Sequence, residues 1–381
     1  MEEKNTTVVC MGDFFLLREK IVKNKNNSIF WFTFGIIDSL LRGIGQVIFA
    51  NNPLSGLLIL LALLFSSPLV ICTGLLTGFL GLTVSMLIQE PLQNIENGLT
   101  VYNPVLVGCI TYSLFSNNYN NGNWDSFSVL LTFIATILSV YLTRSLTTDN
   151  FPCVTLPFNL IEIILFIILM IQGNDSKINL IETNNIANMT DNFINQNAKS
   201  NENSTNLDWG MVFRGMVVAS SQAYGVDNVP AGSIIYLAVV IYSPVTAVFS
   251  FTGAAFGALI ALGLGIPYKE IYSGLWGYNS FLTGAAFGGL FITFNQQTIP
   301  LTIASISFTV AVQYILQHTF SQFNIPIFTI PFVITFFIFL GVRKSNGFFI
   351  KPETVTFPEE QRQRYLNSQV HGSSPVQSIS D

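Results

Sequence analysis

Three short polar signals occur twice in this 381-residue chain, in the same order each time. The first is Gln46-Val47-Ile48-Phe49-Ala50-Asn51-Asn52-Pro53, matched by Gln222-Ala223-Tyr224-Gly225-Val226-Asp227-Asn228-Val229-Pro230. The second is Gly98-Leu99-Thr100-Val101-Tyr102-Asn103, matched by Gly274-Leu275-Trp276-Gly277-Tyr278-Asn279. The third is Pro152-Cys153-Val154-Thr155-Leu156-Pro157-Phe158, matched by Pro326-Ile327-Phe328-Thr329-Ile330-Pro331-Phe332. An apolar run that ends in Gly, Asn and Pro predicts a helix that stops early. Two prolines five residues apart do not fit an unbroken helix, so Thr155 and Thr329 are expected at a kinked or unwound point. What these residues offer is hydrogen bonding, from amides, hydroxyls and backbone carbonyls released by the breaks. Bond-breaking chemistry has little to work with. No nucleophile–base pair or metal cluster is readable, and His318 and His371 are the two histidines, so neither an enzyme nor a cofactor is expected.

The elements that carry these signals are membrane helices. Half of the residues are hydrophobic and 10% are charged, with a mean hydropathy of +0.53. Soluble domains carry about 25% charged residues. Ten of the sixteen Lys and Arg residues lie near the two ends, from Lys4 to Lys25 and from Arg343 to Arg364. Between them run long apolar stretches such as 54–87, 128–142, 160–171, 234–266 and 325–342, several long enough to cross a bilayer. A chain with net charge -5 distributed in this way has the lipid bilayer as its surroundings and no nucleic-acid partner. Helix breaks inside a bilayer are tolerated only where protein or a water-filled cavity receives the freed backbone groups. Cys72, Cys109 and Cys153 sit in apolar stretches and read as small core residues.

Residues 172–207 differ in kind, being rich in Asn, Ser and Thr, and are expected to form a mobile linker. They hold two glycosylation sequons, at Asn188 and Asn203, which suit an extracellular segment. The basic ends suit cytoplasmic termini. The expected organisation is a tail over 1–28, a first transmembrane repeat over 29–171, the linker over 172–207, a second repeat over 208–342 and a tail over 343–381. The two repeats share a register of 176 at Gln46/Gln222, Gly56/Gly232, Ser67/Ser243, Gly98/Gly274 and Tyr102/Tyr278, and of 174 at Pro152/Pro326. An odd number of spans in each repeat makes the copies inverted, with a path along the pseudo-two-fold axis. Each repeat suits five spanning helices and one shorter, partly inserted segment.

These motifs resemble the urea transporter family. Its signature is a twice-repeated Leu-Pro-x-x-Thr-x-Pro-Phe, here with Phe151 and Ile325 in the leading position, together with Gln-Val-x-Phe-x-Asn-Asn-Pro and Gly-Leu-x-Gly-Tyr/Phe-Asn elements. The likeness spans about residues 30–345. It implies ten spanning helices plus two re-entrant ones, and a homotrimer in the plasma membrane with one pore per subunit. Two outer slots would flank a central narrowing. Gln46, Val47, Phe49, Tyr102 and Leu106 would line one slot, Gln222, Ala223, Tyr278 and Leu282 the other, with Thr155 and Thr329 facing each other between them.

The physical chemistry of urea fits that lining. Urea is flat and neutral, with four N–H donors and one carbonyl, and stripping its water unreplaced costs about 2–7 kcal/mol per polar group. Backbone carbonyls, the Gln side chains and the Thr hydroxyls would replace water as acceptors. Aromatic and aliphatic faces would admit a planar solute, and a lining without charge would give an ion no compensation. This is passive, channel-like transport. Competing readings of single residues are interhelical hydrogen bonding for the Gln pair, a local carbonyl bond for the Thr pair, and plain core packing for Tyr102 and Tyr278. Arg42 and Arg214 read as structural, and Gly253/Gly257 and Gly284/Gly288 as close-packing pairs. Two features depart from the pattern. Val229 separates Asn228 from Pro230 at the second mouth, and Glu162 is a carboxylate in an apolar run with no evident partner. Rival functions are a water, ammonia or amide channel, or an ion-coupled urea transporter. Aquaporin-type Asn-Pro-Ala boxes and paired pore histidines are both missing, and coupling would rest on Glu162 alone.

Overall fold

The computed structural model describes residues 14–24, 28–118, 125–148, 151–184, 206–323, 325–343, 347–352 and 356–370. The sequons at Asn188 and Asn203 lie outside the described residues. Among the described residues the only β pairing is an isolated bridge between Thr148 and Phe151, and all else that is regular is helical. After a short helix α1 (Phe15–Asn24), a first series follows: α2 (Ile29–Gln46), α3 (Pro53–Ser66), α4 (Pro68–Leu87), α5 (Leu92–Glu96), α6 (Tyr102–Asn118), α7 (Ser126–Leu146) and α8 (Leu156–Asn184). A second series repeats that order: α9 (Trp209–Gln222), α10 (Val229–Tyr242), α11 (Pro244–Gly263), α12 (Tyr268–Tyr272), α13 (Tyr278–Ala285), α14 (Thr298–Ser321) and α15 (Ile330–Leu340). One more helix, α16 (Pro358–Val370), follows among the described residues.

Local chemistry sets the helix ends in matched pairs. Asn52 caps α3, its Oδ1 accepting from the N–H groups of Leu54 (2.8 Å) and Ser55 (3.3 Å). Asn228 caps α10 in the same way, accepting from Ala231 at 2.9 Å. Val229 therefore leaves the second mouth's helix start intact; it moves the proline one position inward, where a missing N–H is still harmless. Pro68 and Pro244 open α4 and α11, and Ser243 Oγ caps Thr246 at 3.0 Å. Four left-handed residues of one series each have a twin in the other: Phe49/Gly225, Gln89/Gly265, Gly98/Gly274 and Val154/Phe328. The first three pairs are 176 apart and the fourth is 174 apart, the registers that the motifs share.

The distribution of polarity is turned inside out. Phe65, Leu87, Leu76, Val248 and Ile315 are exposed, whereas Ser55, Thr111, Asn103, Asn279, Thr309 and Gln313 are buried. Four helices are long and apolar enough to cross a membrane (Pro68–Leu87, Ser126–Leu146, Pro244–Gly263 and Thr298–Ser321), and four shorter apolar helices accompany them. Many hydroxyls inside these helices are satisfied locally. Thr132, Thr136 and Thr143 each donate to the carbonyl four residues back at 2.7–2.8 Å, which hides them from an apolar surround. Helices α11 and α13 approach as closely as the glycine pairs predict: a Cβ on Gly253 would lie 2.1 Å from the Ser280 carbonyl, and one on Gly284 2.1 Å from that of Phe249.

Helix α8 runs to Asn184, so the polar segment after 171 begins as a continuation of a helix. The segment 343–381, read as a tail, contains α16, whose described side chains pack back onto the body of the protein.

Candidate functional site

A cavity of about 980 Å³ enters the molecule beside α2 and the loop after α5. Gln46, Val47, Phe49, Tyr102 and Thr155 all line it, so five of the residues singled out in the first half share one wall. Leu106 lies deeper, fully buried in the core, with Ala223 and Leu282 in the same apolar cluster.

The wall begins where α2 ends. Beyond Gln46 the chain turns sharply, with Phe49 at φ +63° and Ala50 bonded back to the Gly45 carbonyl at 3.0 Å. The carbonyls of Val47 and Ile48, and of their counterparts Ala223 and Tyr224, take no hydrogen bond from the described residues. These are the acceptors that a helix break was expected to release. Phe49 sits edge-on to Phe291 (5.7 Å between ring centres) and tilted against Phe332 (5.8 Å), presenting an aromatic face to the cavity.

The two glutamines are not equivalent. Asn51 Nδ2 donates both to the Asn97 carbonyl (2.8 Å) and to Gln46 Oε1 (2.9 Å), so the backbone fixes Asn51 and Asn51 fixes Gln46. The Gln46 NH2 is thereby directed away from that network. Gln222 makes the opposite choice: its Nε2 donates to the Ser273 carbonyl at 2.8 Å, leaving Oε1 with no donor among the described residues. Gln46 therefore leaves its NH2, and Gln222 its Oε1, without a partner among the described residues.

Tyr102 and Tyr278 hold the backbone. Tyr102 Oη donates to the Val154 carbonyl at 2.7 Å, joined by Asn103 Nδ2 at 3.3 Å. Tyr278 and Asn279 hold the Phe328 carbonyl in the same manner, Asn279 at 3.3 Å. Val154 and Phe328 are the left-handed residues immediately before the paired threonines. The Tyr-Asn motif therefore clamps the strained turn that aims each threonine, and the hydroxyls are consumed in doing so. What Tyr102 gives the cavity is its ring.

At the centre Thr155 and Thr329 meet directly, Oγ1 to Oγ1 at 2.8 Å. Both sit at helix starts, at the unwound points that the prolines predict. Asn159, which the sequence reading missed, organises the pair. Its Nδ2 donates to the Thr155 carbonyl (2.7 Å) and to Thr329 Oγ1 (2.8 Å), and its Oδ1 accepts the Thr329 N–H at 3.0 Å. The available signal was an Asn four residues after Thr155, on the same helix face. One turn further, buried Glu162 takes a hydrogen bond from Thr111 at 3.0 Å, which supplies the partner the sequence did not show.

The outer part of the cavity is charged. Arg18, Arg42, Glu90, Arg144, Glu360 and Arg364 line it, so the expectation of an uncharged lining does not extend to the mouth. Most are committed to partners: Arg42 Nε to Asp38 at 2.9 Å, Arg144 to Glu90 at 3.5 Å, and Arg364 to Glu360 at 2.6 Å. Arg214 plays a similar structural part in the second half, bonding Asp227 and the Tyr272 carbonyl at 2.6 Å each.

A body that is helical throughout its regular described residues, with an apolar exterior and a cavity lined by the first copy of a doubled motif, is the form of a polytopic membrane protein built around a solute path. Comparison with known proteins then fixes the family. The profile described as "UT: Urea transporter" matches residues 37–344, so the chain belongs to the urea transporter family, a family of transporters and not of enzymes. Curated relatives include Urea transporter 1 of Ovis aries and of Capra hircus, each 31% identical over 335 residues. These cover 87% of this chain and 84% of the relative. Urea transporter 1 of Rattus norvegicus is 30% identical over 340 residues, with the same coverage.

Proposed function

We propose that the protein carries urea passively across a membrane, through a path that runs from the charged mouth, past Gln46 and Phe49, to the Thr155–Thr329 centre and on to Gln222. The observation that carries this reading is the pair of unpaired-carbonyl turns, 47–48 and 223–224, beside aromatic and aliphatic faces. Urea presents N–H donors along its edges, and such turns replace the water these donors lose. Its carbonyl meets a donor at Gln46, and the central hydroxyls add acceptors for its N–H groups. The two series of helices are inverted copies, each with five spans and one re-entrant helix (α3 and α10), and the path follows their common axis. Arg18 of α1 and Glu360 of α16 line the same mouth, which supports both termini lying on one side, the cytoplasmic one. The assembly is a plasma-membrane homotrimer with one pore in each subunit, and the linker over 172–207, with the glycosylation candidates Asn188 and Asn203, is extracellular.

The test is stopped-flow urea efflux from proteoliposomes. Removing one hydrogen-bonding group from the path costs about 0.5–1.5 kcal/mol, so Gln46→Ala and Thr329→Val should each slow urea efflux by about twofold to tenfold. Normal efflux from both variants at equal protein density would remove these residues from the path.

A further inference from the structure

The C-terminal helix bears on the same mouth through several independent attachments. The Ile350 carbonyl accepts the Thr293 N–H at 3.0 Å, bringing the returning chain to the body of the protein. Phe357 packs edge-on against Tyr242, and Pro358 covers Gly289 so closely that a Cβ there would lie 2.9 Å from the proline's own. The Glu359 carboxylate accepts from Ser243 Oγ (2.9 Å) and the Val245 N–H (3.0 Å) at the start of α11, where the helix dipole favours an anion. Buried Gln361 donates to the Leu290 carbonyl at 3.2 Å, and Arg362 lies over the Phe294 ring at 5.2 Å.

These attachments converge on a break that the first half lacks. Helix α6 is continuous from Tyr102 to Asn118, but its counterpart α13 stops at Ala285, widens into a π-turn over Ala286–Leu290 and leaves the helix at Gly289 (φ +124°). The broken segment supplies Leu290 and Phe291 to the cavity wall, and Phe291 is the edge-on partner of Phe49. The helix adds Glu360 and Arg364 to the outer wall, and the two residues before it add Thr356 and Phe357. It is thus one packing contact away from the aromatic face of the path, held there by the polar and apolar contacts just described.

We propose that residues 356–364 form a lid on this mouth: docked, they restrict entry of urea, and released, they raise its permeability. The lid rests on the transport reading above but makes a separate prediction. Where a lid limits access, its removal raises the rate.

The experiment compares urea permeability per reconstituted protein for three forms: the full chain, a chain ending at Val355, and the full chain with Glu359→Ala and Gln361→Ala. Truncation should raise permeability by at least about twofold, with the double variant between it and the wild type. Size-exclusion profiles identify a truncation that fails to fold, in which case the double variant decides alone. Unchanged permeability in the folded variants overturns the lid, and so does a decrease, which would make the helix a brace. A wild-type chain that passes no urea is a different result and strikes the transport reading instead.

Discussion

Gln46 and Gln222 occupy twin positions, yet the groups they contact have opposite polarity, and this makes them separable by one substitution. Gln46→Glu keeps the oxygen that accepts from Asn51, so the fold should be undisturbed. Gln222→Glu puts an oxygen against the Ser273 carbonyl and should cost about 1–3 kcal/mol, seen as a lowered thermal midpoint in detergent. Equal midpoints for the two variants would contradict the assignment. Asn159 offers a second test at this scale. Asn159→Val copies the residue at the equivalent position, Val333, but strands the buried N–H of Thr329 and two acceptors. It should lose stability by a similar amount and slow urea flux, while Asn159→Gln should recover neither fully. The residues legible in advance were the doubled ones, because a repeat marks a position twice. Asn159 stayed hidden for the same reason, having no twin. The polarity of the glutamines was hidden because it is imposed by Asn51 and by a backbone carbonyl 51 residues away, neither of which a motif displays.

Helices start and stop here for reasons readable from single residues. Asn52, Asn228, Ser243 and the prolines behind them predict their caps, and Gly98 and Gly274 predict left-handed turns. A Cβ on Gly98 would lie 2.4 Å from the Gly43 nitrogen as well as in a left-handed backbone, so Gly98→Ala should destabilise strongly, by about 1–3 kcal/mol or more, in the same melting assay. At the aqueous start of α7, Asp125 accepts from the Ser128 hydroxyl and N–H, and these bonds hold its carboxyl below the usual range. A depressed folded-state pKa gives stability that is present above the ordinary carboxylate pKa of about 4 and is lost as pH falls through the folded value. The melting difference between wild type and Asp125→Asn should therefore persist at neutral pH and vanish in acid. A difference that grew in acid would reverse the sign. Phe49, Val154 and Phe328 adopt left-handed turns without being glycines, so their strain was not legible; the clamps from Tyr102 and Tyr278 that sustain it come from distant helices.

At the level of the whole molecule, the membrane class and the doubling follow from composition and from one register kept across the chain. The vestibule does not, because its wall is assembled from Arg18, Glu90 and Arg364, far apart in the sequence, and α16 lies in a stretch whose polarity suggests a loose tail. The doubled architecture bears most directly on energetics. On the proposed path, neutral hydrogen-bonding groups beside a buried hydroxyl pair would supply what a neutral solute needs and nothing that couples it to an ion. The charges nearest the path are committed to partners at the mouth, and Glu162 is sealed against Thr111. The deciding measurement is urea flux into proteoliposomes under imposed proton, sodium and electrical gradients. Flux should follow the urea gradient alone and stop at equal concentrations, whatever ionic gradient or potential is applied. Accumulation of urea above the external concentration, driven by any of the three, would contradict it.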